Sequence, residues 1–222
     1  MKIEILAHQF VQLSAVDQGV TVVRAEDMEE SLSELRKDAA RYEYFHAIGH
    51  TKTNVTQNFS SCGEFGAGSI WRSLAIDIGL CLSREFARSG QSKMFESPLH
   101  FTDIALQKYP QTPEGVRYGI SPHRDQSAFV NLVAVLLISG PSAFFVCKDK
   151  AGAGASDVMA RPGDLILMRG GGYGQGLPRP YHFIGKIDDP RERLSFGMRQ
   201  ISSDPAKAAE LRNMFSPKEE QT

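Results

Sequence analysis

Residues 121–125 read Ser-Pro-His-Arg-Asp, so His123 and Asp125 flank a single residue. On an extended strand, side chains two apart share a face. An imidazole and a carboxylate would then stand side by side. That pair of donors suits a divalent first-row metal ion. The same five residues also read as a plain turn between two strands, and the two readings demand different company elsewhere in the chain.

A metal held by two donors on one strand needs a third from a distance. Of the six histidines, His182 is the one that follows Asp125. Two histidines and one carboxylate make the facial triad that leaves iron with open positions. The plainer reading of His182 is a hydrogen-bonded core histidine. Further on, in "RERLSFGMRQ", Arg193, Ser195, Gly197 and Arg199 alternate to one strand face, and Leu194, Phe196 and Met198 to the other. If the apolar face is core, two guanidiniums and a hydroxyl face away from it. Such arginines are either solvated or fixed bidentate donors for a carboxylate in a cavity.

Two other motifs fail on inspection. His-Arg-Asp opens the catalytic loop of protein kinases, but that loop places four residues before its Asn. Here five, Gln126 to Val130, precede Asn131, and neither Asp-Phe-Gly nor Val-Ala-Ile-Lys occurs. The run "RGGGYGQGLPRP" lacks a phosphate-loop spacing and leads into Leu-Pro-Arg-Pro rather than a helix. It reads as a mobile turn or lid.

The elements that must position these residues divide the chain. Apolar positions at Met28, Leu32, Leu35, Ala39 and Tyr42 mark one helix face, with Asp27 and Glu30 as a capping pair. A second helix starts after Ser69, with its stripe at Ile70, Leu74, Ile78, Cys81 and Phe86, and ends near Gly90. Residues 51–69 between them read as a long polar loop. The second half is a series of short β-branched and aromatic runs punctuated by Gly, Pro and Asp. A last helix spans about Pro205 to Phe215, before a charged tail. The expectation is one α+β domain over residues 1–222: a mainly helical part to 100, a β-sandwich over 101–200, and a helix and tail over 201–222.

Composition narrows the class. A hydrophobic fraction of 41% supports a sizeable core, and a net charge of −1 gives no global field to hold a polyanion. Cys62, Cys81 and Cys147 form no disulfide framework, which suits a reducing, cytoplasmic setting. The N-terminus meets polar residues too soon for a secretory leader, and no apolar run is long enough for a membrane span.

Taken together, H-x-D, a distant His and a following Arg-x-Ser resemble the Fe(II)- and 2-oxoglutarate-dependent dioxygenases, whose core is a double-stranded β-helix, or jelly roll. The layout is similar to the AlkB-like branch. Gln107-Lys108-Tyr109 precedes the H-x-D, Gly163-Asp164 and the Gly-rich loop precede His182, and "RLSFGMR" closes the set with its arginines six apart. The resemblance covers roughly Ala105 to Gln200. It implies Fe(II) on His123, Asp125 and His182, with O2 and 2-oxoglutarate as co-reactants. Arg193, with Tyr109 and Ser195, would anchor the far carboxylate of 2-oxoglutarate; Arg199 and Gln107 would take the carboxylate near the metal. Succinate and CO2 are the implied co-products, and hydroxylation is the default outcome. Asp125 keeps the carboxylate that halogenases of the superfamily replace. Gln107 and Ser195 stand where the AlkB-like branch has Asn, and the His182–Arg193 gap is shorter than in its DNA-repair members.

For the substrate, Arg117, Tyr118, Asn131, Arg169, Tyr173 and Arg179 lie near the motifs in sequence, and their chemistry favours a small polar or acidic molecule. Three alternatives stand beside this reading: an AlkB-like nucleic-acid demethylase, which the near-neutral charge disfavours; a cupin-type metal protein that does without the arginines; and a noncatalytic jelly-roll sensor.

Overall fold

The apolar run Phe129–Ser139 forms the longest strand, buried along nearly its whole length. A strand covered on both faces reads as a continuous apolar stretch rather than an alternating one. The computed structural model describes residues 2–26, 28–46 and 55–215. In chain order its strands are β1 (Lys2–Ile3), β2 (Val20–Glu26), β3 (Phe45–His46), β4 (Ser60–Cys62), β5 (Asp103–Tyr109), β6 (Ile120–His123), β7 (Phe129–Ser139), β8 (Phe144–Cys147), β9 (Ser156–Asp157), β10 (Asp164–Arg169), β11 (Tyr181–Ile184) and β12 (Arg193–Ile201). The helices are α1 (Ala7–Ser14), α2 (Met28–Ala39), α3 (Ile70–Arg88) and α4 (Pro205–Phe215).

These strands form two antiparallel sheets. The larger has the order β1-β2-β10-β7-β12-β5-β4-β3 and the smaller β6-β11-β8-β9. Together they make a jelly roll with helices on the outer face of the large sheet. Alternation assigns the faces. Leu132, Ala134, Leu136 and Ile138 of β7 join Leu165 and Leu167 of β10 and Leu194, Phe196 and Met198 of β12 under the helices. Val133, Val135, Ile166 and Met168 point the other way, toward Ile120, Phe144 and Ile184 of the small sheet. The site occupies this second space.

Helix α3 begins at Ser69, whose Oγ accepts from the Arg72 amide at 3.3 Å. Ile78, Cys81 and Phe86 of the expected stripe are buried, but the first turns are rotated, with Trp71 and Ala75 buried in place of half-buried Leu74 and exposed Ile70. Trp71 sets that rotation: its ring packs 5.0 Å from Phe196, and its Nε1 donates to Asp38 Oδ2 at 2.8 Å. In α2, Met28, Leu32, Leu35 and Ala39 are buried as the spacing predicts. Asp27, residues 51–54 of the long loop and the tail 216–222 lie outside the described residues.

The first hundred residues are less helical than expected. Strands β1 and β2 extend the large sheet at one edge, and β4 and β3 extend it at the other. Val20–Glu26 pairs along β10 from Val20↔Met168 to Arg24↔Asp164, where Arg24 also bonds the Asp164 carboxylate at 2.7 Å. The Gly-rich loop is tied to β7 at its start. Gly170 and Gly171 donate to the carbonyls of Asn131 and Phe129, and Asn131 donates back to Gly171. A Cβ on Gly171 would stand 2.5 Å from the Ser127 carbonyl, so only Gly allows the loop this close to β7. No helix among the described residues is long and apolar enough to cross a membrane.

Candidate metal centre

His123 ends β6 and His182 lies directly opposite it on β11, a cross-strand pair with ring centres 4.4 Å apart. Asp125 lies two residues on, in irregular chain past the end of the strand rather than on it. Its Oδ2 stands 3.8 Å from His182 Nε2. One ligand atom from each of the three residues falls within 4.8 Å of the others.

Backbone carbonyls orient both rings. His123 Nδ1 lies 2.8 Å from Ser121 O, and His182 Nδ1 lies 3.4 Å from Pro180 O. In the neutral tautomer that donates from Nδ1, the Nε2 lone pair is left for a metal. Phe144 stacks flat on His182, 5.4 Å between centres and 7° between planes. Burial, reinforced by His182, pushes His123 down to about 4. It is therefore neutral at neutral pH, the ligating form. Burial opposes ionisation of Asp125, but His182, Arg199, His123 and Arg179 together hold its carboxyl below the ordinary range. His123 and Asp125 are in the protonation state a divalent ion needs.

A cavity of about 720 Å³ between the sheets contains the three donors and runs to Arg193. Arg193 is 1% exposed. Its Nε donates to Ser142 O and its Nη1 to Ser195 Oγ, both at 2.8 Å, while Nη2 is buried with no partner among the described residues. The guanidinium lies over the Tyr109 ring, 5.0 Å from its centre. Burial pushes the Tyr109 hydroxyl up to about 12, so it stays protonated as a donor. A buried cation with a free N–H beside a phenol donor fits a carboxylate.

Similarity to known proteins enters through structure alone. No family model matches the sequence, and no curated protein matches it significantly. Among solved structures, a Shewanella oneidensis protein described as an oxygenase superposes with a TM-score of 0.61 at 15% identity, over 96% of this chain and 99% of that one. A prolyl-4-hydroxylase from Pseudomonas putida gives 0.55 at 16% identity, over 88% and 98%. HygX from Streptomyces hygroscopicus, solved with nickel, 2-oxoglutarate and hygromycin B bound, gives 0.56 at 12% identity, over 90% and 88%. The chain has the fold of the 2-oxoglutarate–Fe(II) oxygenases.

Within this oxygenase fold the expected residues separate into two groups. His123, Asp125, His182, Gln107, Tyr109, Arg193 and Arg199 all line the cavity, and Ser195 stands behind it on Arg193. Arg199 is already committed through Nη1 to Asp103 Oδ2 at 2.7 Å.

The substrate candidates fare differently. Only Arg179 lies at the centre, donating to the Asp125 carbonyl. Asn131 is wholly buried in a left-handed conformation (φ 61°) and bonds the Glu96 amide, Ser97 O and Gln200 Oε1, so it braces the fold. Arg169 follows Met168, which faces the cavity, so alternation turns it to the helix side, where Nη2 donates to Val16 O. Tyr173 is wholly buried near Phe95. Arg117 and Tyr118 border a separate cavity of about 640 Å³, where Tyr118 meets Phe183 edge-on. Sequence proximity did not reveal Ser142, Phe144, Arg124 or Lys150. The last two line the main cavity, and Lys150 was legible only as one charge in "CKDK".

Proposed function

We propose that the chain is a non-haem Fe(II)/2-oxoglutarate-dependent dioxygenase that hydroxylates a small polar organic substrate, with succinate and CO2 as co-products. One observation carries this reading: a two-histidine, one-carboxylate cluster shares a cavity with a buried guanidinium that has an uncommitted N–H. His123, Asp125 and His182 would hold Fe(II) on one side and leave the cavity side open. Arg193 would take the far carboxylate of 2-oxoglutarate through Nη2, its plane fixed by Ser142 and Ser195. Tyr109 supplies the base of that subsite. Bound there, iron and 2-oxoglutarate supply the oxidising chemistry with O2.

The apolar inner walls, with Val133, Val135 and Phe144, exclude water around the reacting centre. Asp125 occupies the position a halide would need, which favours hydroxylation over halogenation. The N-terminal helices and the β core act as one domain, a reading supported by the apolar layer they share. Cys62, Cys81 and Cys147 are buried and in no disulfide, which supports a cytoplasmic setting.

The test is an anaerobic titration with Fe(II) and 2-oxoglutarate, watching for the visible metal-to-ligand charge-transfer band. The wild type should show the band, His182→Ala should lose it with its iron, and Arg193→Ala should need far more 2-oxoglutarate. Folded, iron-loaded protein without the band would sink the proposal and bring the cupin-type reading forward.

A further inference from the structure

We propose that Arg169, Tyr173 and Ser14 form a second binding site, for a small monovalent anion of the size of chloride, on the helix side of β10. It lies across the strand from the catalytic cavity and is independent of the oxygenase reading: Met168 lines that cavity, and Arg169 is the next residue along β10.

A buried charge without a counter-charge marks the site. Arg169 is 1% exposed, and its Nε and Nη1 are buried with no hydrogen-bond partner among the described residues. Its Nη2 donates to Val16 O at 3.2 Å, a neutral acceptor. Burial depresses the guanidinium, and the offset comes from the phenol of Tyr173 rather than from a carboxylate. A fold tolerates a buried cation where an opposite charge accompanies it. Two hydroxyls converge on the same place. The Tyr173 hydroxyl is buried beside the Ser14 side chain and within the field of Arg169. The three residues come from the end of α1, the end of β10 and the Gly-rich loop. Guanidinium N–H groups and hydroxyls are donors, the set that an anion needs.

Enclosure sets the size of the occupant. The turn between α1 and β2 folds over the guanidinium: the Arg169 amide donates to Gly19 O at 3.0 Å, and a Cβ on Gly19 would stand 2.4 Å from Arg169 Nε. Cover this close suits a compact monovalent ion and not a phosphate or an organic acid. Val16, Asp17 and Gln18 of the turn are exposed, so an ion reaches the site as the turn lifts. Once bound, it ties the turn and the Gly-rich loop to β10.

The experiment follows thermal unfolding of the full chain while chloride replaces gluconate at constant ionic strength. Crystals grown in bromide are examined at the bromine absorption edge. The midpoint should rise saturably with chloride, by about 5 °C or more at one hundred times the dissociation constant. Bromide should act as chloride does and give an anomalous peak against the Arg169 guanidinium. Arg169→Met should fold, because an apolar side chain takes the place of a buried ion pair, and should lose both the chloride response and the peak. Tyr173→Phe keeps the ring and its packing, and should raise the half-saturating chloride concentration at least threefold. Coincident chloride and gluconate curves for the wild type would overturn the site. So would a chloride response that neither substitution changes, or a bromide peak that lies elsewhere.

Discussion

Arg193 carries two tasks that substitution separates. Its Nε and Nη1 hold Ser142 O and Ser195 Oγ, while Nη2 is buried with no partner among the described residues. Arg193→Lys keeps the charge but loses the fork, and we expect 2-oxoglutarate affinity to fall by about tenfold or more, measured by saturation of the charge-transfer band. Arg193→Met should also destabilise the apoprotein by about 1–3 kcal/mol, because a buried carbonyl and hydroxyl lose their donor. The denaturation midpoint reads that loss. Asn131→Ala tests the corrected assignment of a residue that sequence proximity had put at the substrate. It removes the side chain's hydrogen bonds to the Glu96 amide, to Ser97 O and Oγ and to Gln200 Oε1, leaves a β-carbon in the left-handed region, and should destabilise by about 2–4 kcal/mol. Iron affinity of the folded fraction should be unchanged; a substrate-lining Asn131 would show the reverse pattern.

At the scale of elements, β7 divides the two apolar layers, and its odd and even positions answer to different neighbours. Leu136 is wholly buried under the helices. Leu136→Ala should cost about 2–5 kcal/mol in chemical denaturation while sparing metal binding, since Val133 and Val135 hold the cavity side. The face of β12 was legible in advance because Leu194, Phe196 and Met198 alternate with polar residues. That contrast exists only where one face meets core and the other a polar cavity. For β10, apolar on both faces, the sequence does not mark the sides, which is why Arg169 was misplaced. The H-x-D pair was legible by spacing, although irregular chain rather than a strand supplies the second half of the geometry. Val20–Glu26 carried the β-branched pattern of a strand, but its partner β10 lies some 140 residues away, and no local signal names so distant a neighbour. The rotation of α3 likewise depends on where Trp71 finds Phe196 and Asp38.

For the whole molecule, the centre joins the sheets' inner space to chain segments that are far apart in sequence. On the proposed reading, metal and 2-oxoglutarate would bind only the assembled site and so would add stability by mass action. At a ligand concentration one hundred times its dissociation constant the gain is about 2.7 kcal/mol, which for a chain of this size raises the melting temperature by roughly 5–10 °C. Thermal melts with Fe(II) under anaerobic conditions, before and after chelation, should show that difference in the wild type and lose it in His182→Ala.

The facing of His123 and His182 across β6 and β11 has a consequence for folding. Side chains alternate along β11, so a slip of one residue would put Tyr181 or Phe183 in the place of His182 and turn the imidazole to the outer aromatic face. The small sheet has no long strand to enforce its register. An ion bridging the two histidines is compatible with one alignment and with none of its neighbours. On the proposed reading, iron would act as a proofreader of strand pairing, selecting the correctly threaded sheet before any substrate arrives.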